Sequence, residues 1–198
     1  MSSVSDVWNR FTLICKPEQS GKTFIMIQKI NKETHTPSSE LTVINLIFCD
    51  NNLLLTKQTS KRLGDQILLP ETEEKYVEFS SRKDSKTLGN VDTVIGQITN
   101  GVQNVVCCTN RTRMRNTHEI ISRLNSSPFT KGKLVFKLWL DEADKFSKYI
   151  SNTLLPLAEE YENVHCFCIT ATPDRLFHQF GSMNIEPLML TTSPNYHG

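Results

Sequence analysis

The stretch Lys16-Pro17-Glu18-Gln19-Ser20-Gly21-Lys22-Thr23 joins an apolar run, Phe11 to Cys15, to a helical pattern, Phe24 to Ile30. A strand–loop–helix unit of this kind aims several backbone N–H groups and the positive end of a helix at one point, which suits a phosphate. Lys22 can reach the β- and γ-phosphates of a nucleotide, and the Thr23 hydroxyl can take a place on Mg²⁺. Lys16 stands where the phosphate-loop pattern has its first glycine. Far downstream, Asp141 and Glu142 follow a largely apolar run, Leu134 to Leu140. Charge placed directly after a buried strand is costly unless partnered. In the functional reading Asp141 holds Mg²⁺ through water, the ion bridges the β- and γ-phosphates, and Glu142 orients and activates the attacking water. In the bland reading the acids only cap the next helix.

Two further stretches carry suitable side chains. Thr170-Ala171-Thr172-Pro173 sets two hydroxyls around an alanine, either a plain strand-end turn or a relay from a γ-phosphate site into motion. Thr109-Asn110-Arg111-Thr112-Arg113-Met114-Arg115 offers two groups that can hydrogen-bond phosphate oxygens and three arginines with no acid among them. Side chains of this kind can contact phosphate oxygens. Alternatively, the arginines pair with nearby acids in a solvated loop.

All these stretches must be positioned by one framework. The 198 residues suffice for one domain with a sizeable core, and a hydrophobic content of 38% with 22% charged residues is ordinary for a globular chain. A net charge of +1 puts any nucleic-acid site in a local patch rather than a global field. No apolar run reaches the roughly 20 residues needed to cross a bilayer, so no membrane partner is expected. The six cysteines fall within apolar strand-like runs without metal-ligand spacing, as buried thiols in a reducing compartment, cytoplasm or nucleus, would. The five histidines show no ligand spacing either.

Apolar and β-branched runs predict strands at 11–15, 41–49, 76–80, 102–109, 134–140, 164–169 and 186–190. Helical periodicity predicts helices at 21–32, 53–63, 92–99 and 117–124, and a long one over 146–161 kinked at Pro156. Residues 82–90 read as a polar turn, and Lys57, Lys61 and Arg62 as a solvated helix face. Alternating strands and helices imply a mostly parallel, doubly covered sheet, on which ligands bind beyond the carboxyl ends of the strands. Every stretch singled out sits at such an end.

The set Gly21-Lys22-Thr23, Asp141-Glu142-Ala143-Asp144 and Thr170-Ala171-Thr172-Pro173, in this order, resembles the first RecA-like domain of a superfamily 2 helicase or translocase. The resemblance spans about Phe11 to Leu190. It departs from DEAD-box RNA helicases proper: no glutamine precedes Gln19, Asp50-Asn51-Asn52-Leu53-Leu54 replaces their usual segment after the second strand, and Thr-Ala-Thr-Pro replaces their Ser-Ala-Thr. The resemblance implies an α/β RecA-like P-loop NTPase domain over 11–190, with a lead-in at 1–10 and a tail or linker at 191–198. It implies ATP and Mg²⁺ held by residues 16–23 and Asp141, catalysis by Lys22 and Glu142, and coupling by Thr170, Ala171 and Thr172. It also implies nucleic-acid contacts, to DNA or RNA, at Asp50, Asn51, Thr109, Asn110, Arg111, Arg113 and Arg115. A second RecA-like domain outside this chain would supply arginine fingers, so the chain looks like the first domain of a longer motor. Another P-loop ATPase, or a non-catalytic module on a decayed helicase fold, are the alternatives. The guanine-reading Asn-Lys-x-Asp string of a GTPase does not occur.

Overall fold

The computed structural model describes residues 7–15, 21–34, 41–49, 53–68, 76–80, 87–181 and 184–186. They build an α/β fold around one sheet. In chain order the elements are β1 (Phe11–Cys15), α1 (Lys22–Thr34), β2 (Thr42–Cys49), α2 (Leu53–Gln66), β3 (Val77–Phe79) and β4 (Thr87–Leu88). Then come α3 (Val91–Thr99), β5 (Asn104–Cys108), α4 (Arg111–Ser126), β6 (Leu134–Asp141), α5 (Ser147–Tyr149) and α6 (Leu155–Glu160). The last are β7 (Val164–Thr170), α7 (Asp174–Gln179) and β8 (Asn184–Glu186). The eight strands lie in the order β4-β3-β5-β2-β6-β7-β1-β8, and every neighbouring pair is parallel.

Burial on both faces follows from helices on both sides. Successive strand residues point to opposite faces. Ile14, Ile47, Val106, Trp139 and Ile169 pack with Met26, Ile27 and Ile30 of α1 and Leu63 of α2. Their neighbours Leu13, Leu46, Phe48, Val105, Leu138 and Leu140 face the other way, onto α3, α4 and the 147–160 segment. One rung interrupts the α1 face with polar groups. Asn104, Asn45, Lys137 and His165 are in register across β5, β2, β6 and β7. Asn45 donates to Asn104 at 2.9 Å and accepts from the Trp139 indole at 3.0 Å. Trp139, expected in the core, is fully buried and stacks on Phe167.

Three expectations are corrected. The helix expected to begin at Thr117 begins at Arg111, so the arginine-rich string is a first turn and not a loop. The polar stretch 82–90 contains a short edge strand, Thr87–Leu88, on β3. The helix over 146–161 absorbs Pro156 differently: residues 150–154 form a π-helical turn in which the Leu155 N–H bonds to the Ile150 carbonyl. Proline has no N–H for the usual bond, and a wider turn just before it accommodates that loss. Of the strand expected at 186–190 only Glu186 is described, where it closes β8, and residues 187–190 lie outside the described residues.

Candidate functional site

The strand ends that carry the singled-out residues lie at one level of the sheet. Cys15 is in register with Thr170, Ile169 with Asp141, Phe48 with Leu140, and Cys49 with Cys108. Because β7 lies between β1 and β6, the turn after Thr170 sits between the end of β1 at Cys15 and the pair Asp141-Glu142. Lys16, Pro17, Glu18, Gln19, Ser20, Asp50 and Asn51 lie outside the described residues.

Gly21 leads into α1 with φ +82°, a left-handed conformation that glycine adopts without the strain a Cβ would bring. The first intrahelical bond runs from the Ile25 N–H to the Gly21 carbonyl at 3.1 Å. The N–H groups of Lys22, Thr23 and Phe24 precede it and point out of the helix start. From this first turn the Lys22 amine forms an ion pair with the Glu142 carboxylate, across 120 residues of chain. The lysine side chain is 11% exposed and the glutamate 31%.

Asp141 has the parity of Trp139, so it faces the α1 side of the sheet. Its carboxyl accepts the Glu142 N–H at 3.1 Å. Burial pushes its pKa up, the adjacent Glu142 charge pushes it further, and Lys22 opposes both. Glu142 itself has φ +56° and ψ +46°, and no other non-glycine among the described residues has a positive φ. Such backbone is unfavourable for a side chain larger than glycine, and it turns the Glu142 carboxylate back toward α1.

The acids meet a test for a divalent cation. Two adjacent carboxylates, one raised by burial and by the other's charge, gain from an added positive ion. Among the described residues no cluster of three or more His, Cys, Asp or Glu forms a closed cage. Magnesium needs none, since it keeps waters and takes one or two carboxylates together with substrate oxygens.

A further link ties the two acidic-side motifs together. The Thr170 hydroxyl donates to Asp144, and the Thr172 N–H donates to the same Thr170 oxygen at 3.0 Å. Thr170 is fully buried, whereas Thr172 is exposed. Sequence reasoning gave Asp144 no task. Its spacing of three from Asp141 was the available signal.

The stretch after β5 divides. Thr109 is buried, with its N–H 2.9 Å from the Cys49 carbonyl, which its hydroxyl also meets. Asn110 caps α4, its side chain accepting the Arg113 N–H at 3.0 Å. Arg113 is buried rather than facing a phosphate, which corrects the expectation for that residue. Its guanidinium lies 4.2 Å from the centre of the Phe79 ring and donates to the Gly89 carbonyl at 3.1 Å. Arg111 and Arg115 are exposed, one turn apart at the start of the helix.

No protein-family model matches the chain, and no curated protein matches its sequence. Among the described residues no helix is long and apolar enough to cross a membrane.

Proposed function

We propose that this chain is an ATP-binding P-loop domain of the kind that drives a superfamily 2 helicase or translocase. One observation carries the reading: Lys22 and Glu142, from the first turn of α1 and the turn after β6, meet beside Asp141 on the carboxyl edge of a parallel sheet. Ligands on such sheets bind at that edge. An amine, two carboxylates and outward-pointing helix N–H groups at one point are what a magnesium-bound triphosphate requires.

In this reading Lys22 and the first-turn N–H groups hold the phosphates, while Thr23 and Asp141 hold Mg²⁺. The ion neutralises charge on the phosphate oxygens. Lys22 must leave Glu142 to reach a phosphate, and Glu142 is then released to position a water. The pair thus keeps base and amine occupied with each other until a nucleotide separates them. The bond from Thr170 to Asp144 joins that event to the turn at Thr170-Ala171-Thr172. Among the described residues, the exposed Arg111 and Arg115 are the arginines placed to grip nucleic acid, DNA or RNA alike. A second RecA-like domain bringing an arginine to the γ-phosphate would raise turnover by roughly 10³–10⁵, so the chain alone is expected to hydrolyse ATP slowly. The six free thiols support a reducing intracellular compartment.

The test is titration with ATP in the presence of Mg²⁺, comparing the parent chain with Lys22→Ala. Saturable binding that the substitution abolishes, with the fold retained by circular dichroism, is the expected result. Equal binding by both proteins, or none by the parent, overturns the reading and leaves a non-catalytic module.

A further inference from the structure

Phe24 lies on the first turn of α1 and is 53% exposed. It belongs to neither of the buried clusters around the sheet. At about 100° per residue, Phe24 lies roughly 200° around the helix from Lys22. The buried residues Met26, Ile27 and Ile30 take the sheet-facing sector between them. Phe24 therefore stands on the flank opposite the Lys22–Glu142 pair.

A triphosphate has two ends. If its γ end is held by Lys22 and Glu142, its chain must cross the helix start, over the N–H groups of Thr23 and Phe24. The sugar and base then leave on the Phe24 flank. That flank also bears a groove. Gln28 and Asn31 follow Phe24 on the same side of α1, and with Lys32 and Leu68 they line an open space of about 430 Å³. Its floor is fixed, because the Asn31 side chain donates to the Gln66 carbonyl at 2.9 Å and accepts the Leu68 N–H at 3.1 Å.

We propose that Phe24 is the platform on which the nucleobase of the bound nucleotide stacks, with the exposed Gln28 amide one turn further on at the base edge. This rests on the nucleotide-site reading above and adds what that reading leaves open, how the chain holds the base. Stacking on an aromatic tolerates any base, because each has a π-face. The platform alone thus gives affinity for nucleosides, and Gln28 gives preference among them.

The experiment compares calorimetric binding of ATP and of inorganic tripolyphosphate, each with Mg²⁺, to the parent chain, Phe24→Ala and Phe24→Trp. Phe24 is exposed, so both variants are expected to fold. The parent should bind ATP more tightly than tripolyphosphate. Phe24→Ala should lose roughly tenfold for ATP and nothing for tripolyphosphate, and Phe24→Trp should keep ATP affinity and show indole quenching on binding. ATP binding by Phe24→Ala equal to the parent overturns the platform and leaves the phosphate site standing. A parent that binds neither ligand overturns the phosphate site, and the platform with it. Equal loss of both ligands in Phe24→Ala also overturns it, since that marks a disturbed helix start rather than a base contact.

Discussion

The ends of β6 and β5 lie on the same edge of the sheet with β2 between them, and each is followed by polar residues that suggest chemistry. After β5 those residues are largely used in holding the fold together, Asn110 within its own helix start and Thr109 and Arg113 against neighbouring elements. Asn110 caps α4, and Arg113, on that helix, closes against Phe79 and Gly89. Thr109 ties β5 to β2 through the Cys49 carbonyl. After β6 it is carboxylates that reach across the sheet edge, to an amine and to a hydroxyl. Glu142 reaches Lys22, Asp144 reaches Thr170, and Glu142 holds a left-handed backbone to do so. Polar residues beside a helix start have a local explanation by default, since a helix leaves four N–H groups to be satisfied. An amine and a carboxylate that meet across 120 residues, the carboxylate on left-handed backbone, have no such local explanation, and that contrast favours the β6 end as the proposed site.

The contrast can be broken first at Arg113. Arg113→Ala removes a buried cation–π contact and a charged hydrogen bond, so it is expected to cost about 2–3 kcal/mol in urea unfolding. Arg111→Ala and Arg115→Ala should stay within about 0.5 kcal/mol of the parent, yet each should lower the salt-dependence slope of single-strand binding by about one. Stability loss at Arg111 or Arg115 equal to that at Arg113 would erase the division within the helix turn. Asn110→Ala comes next, at about 1 kcal/mol, as for a lost cap.

The opposite sign is expected after β6. The folded-state pKa of Asp141 is raised, by burial first and by Glu142 second. Its contribution to stability is therefore full below the ordinary carboxylate range and is lost as pH rises through the raised value. Asp141→Asn keeps an acceptor for the Glu142 N–H and removes that loss, so it should raise the Tm at pH 7 and not at low pH, while weakening Mg²⁺-dependent nucleotide binding. A lower Tm at pH 7 would mean that Asp141 stabilises the fold like any cap.

The smallest effect concerns thiols. Burial pushes the Cys49 thiol up to about 12 and raises those of Cys107, Cys166 and Cys168; it also raises that of Cys15, at the end of β1, but Cys15 is only partly buried. Iodoacetamide on the folded chain should modify Cys15 alone, and ATP with Mg²⁺ should slow it. Mass spectrometry of the digested protein reads this directly. Modification of Cys49 or Cys108 at a similar rate would show that the edge opens.

Much of the framework was legible because strands covered on both faces leave near-continuous apolar runs. Residues 11–15, 41–49, 134–140 and 164–169 all read as strands for that reason, and the α/β parallel sheet followed. Thr87–Leu88 was not legible, since two residues hold no pattern and owe their strand to pairing with β3. The start of α4 was hidden by its arginines. Met114, Thr117, Ile120, Ile121 and Leu124 at helical spacing, after an asparagine, were the signal that could have placed it. Lys22, Asp141 and Glu142 were named from residue type and neighbourhood. That Lys22 and Glu142 pair, and that Glu142 bends into a left-handed conformation, depends on the order of three strands, which no local stretch encodes.

The most direct measurement is a crystal structure of the chain with Mn²⁺ and a non-hydrolysable ATP analogue, read by anomalous scattering. The account predicts one manganese peak between Thr23 and Asp141, with the Lys22 amine moved from Glu142 onto the phosphates. Nucleotide bound elsewhere, or a Lys22–Glu142 pair that stays closed with nucleotide in place, would contradict it.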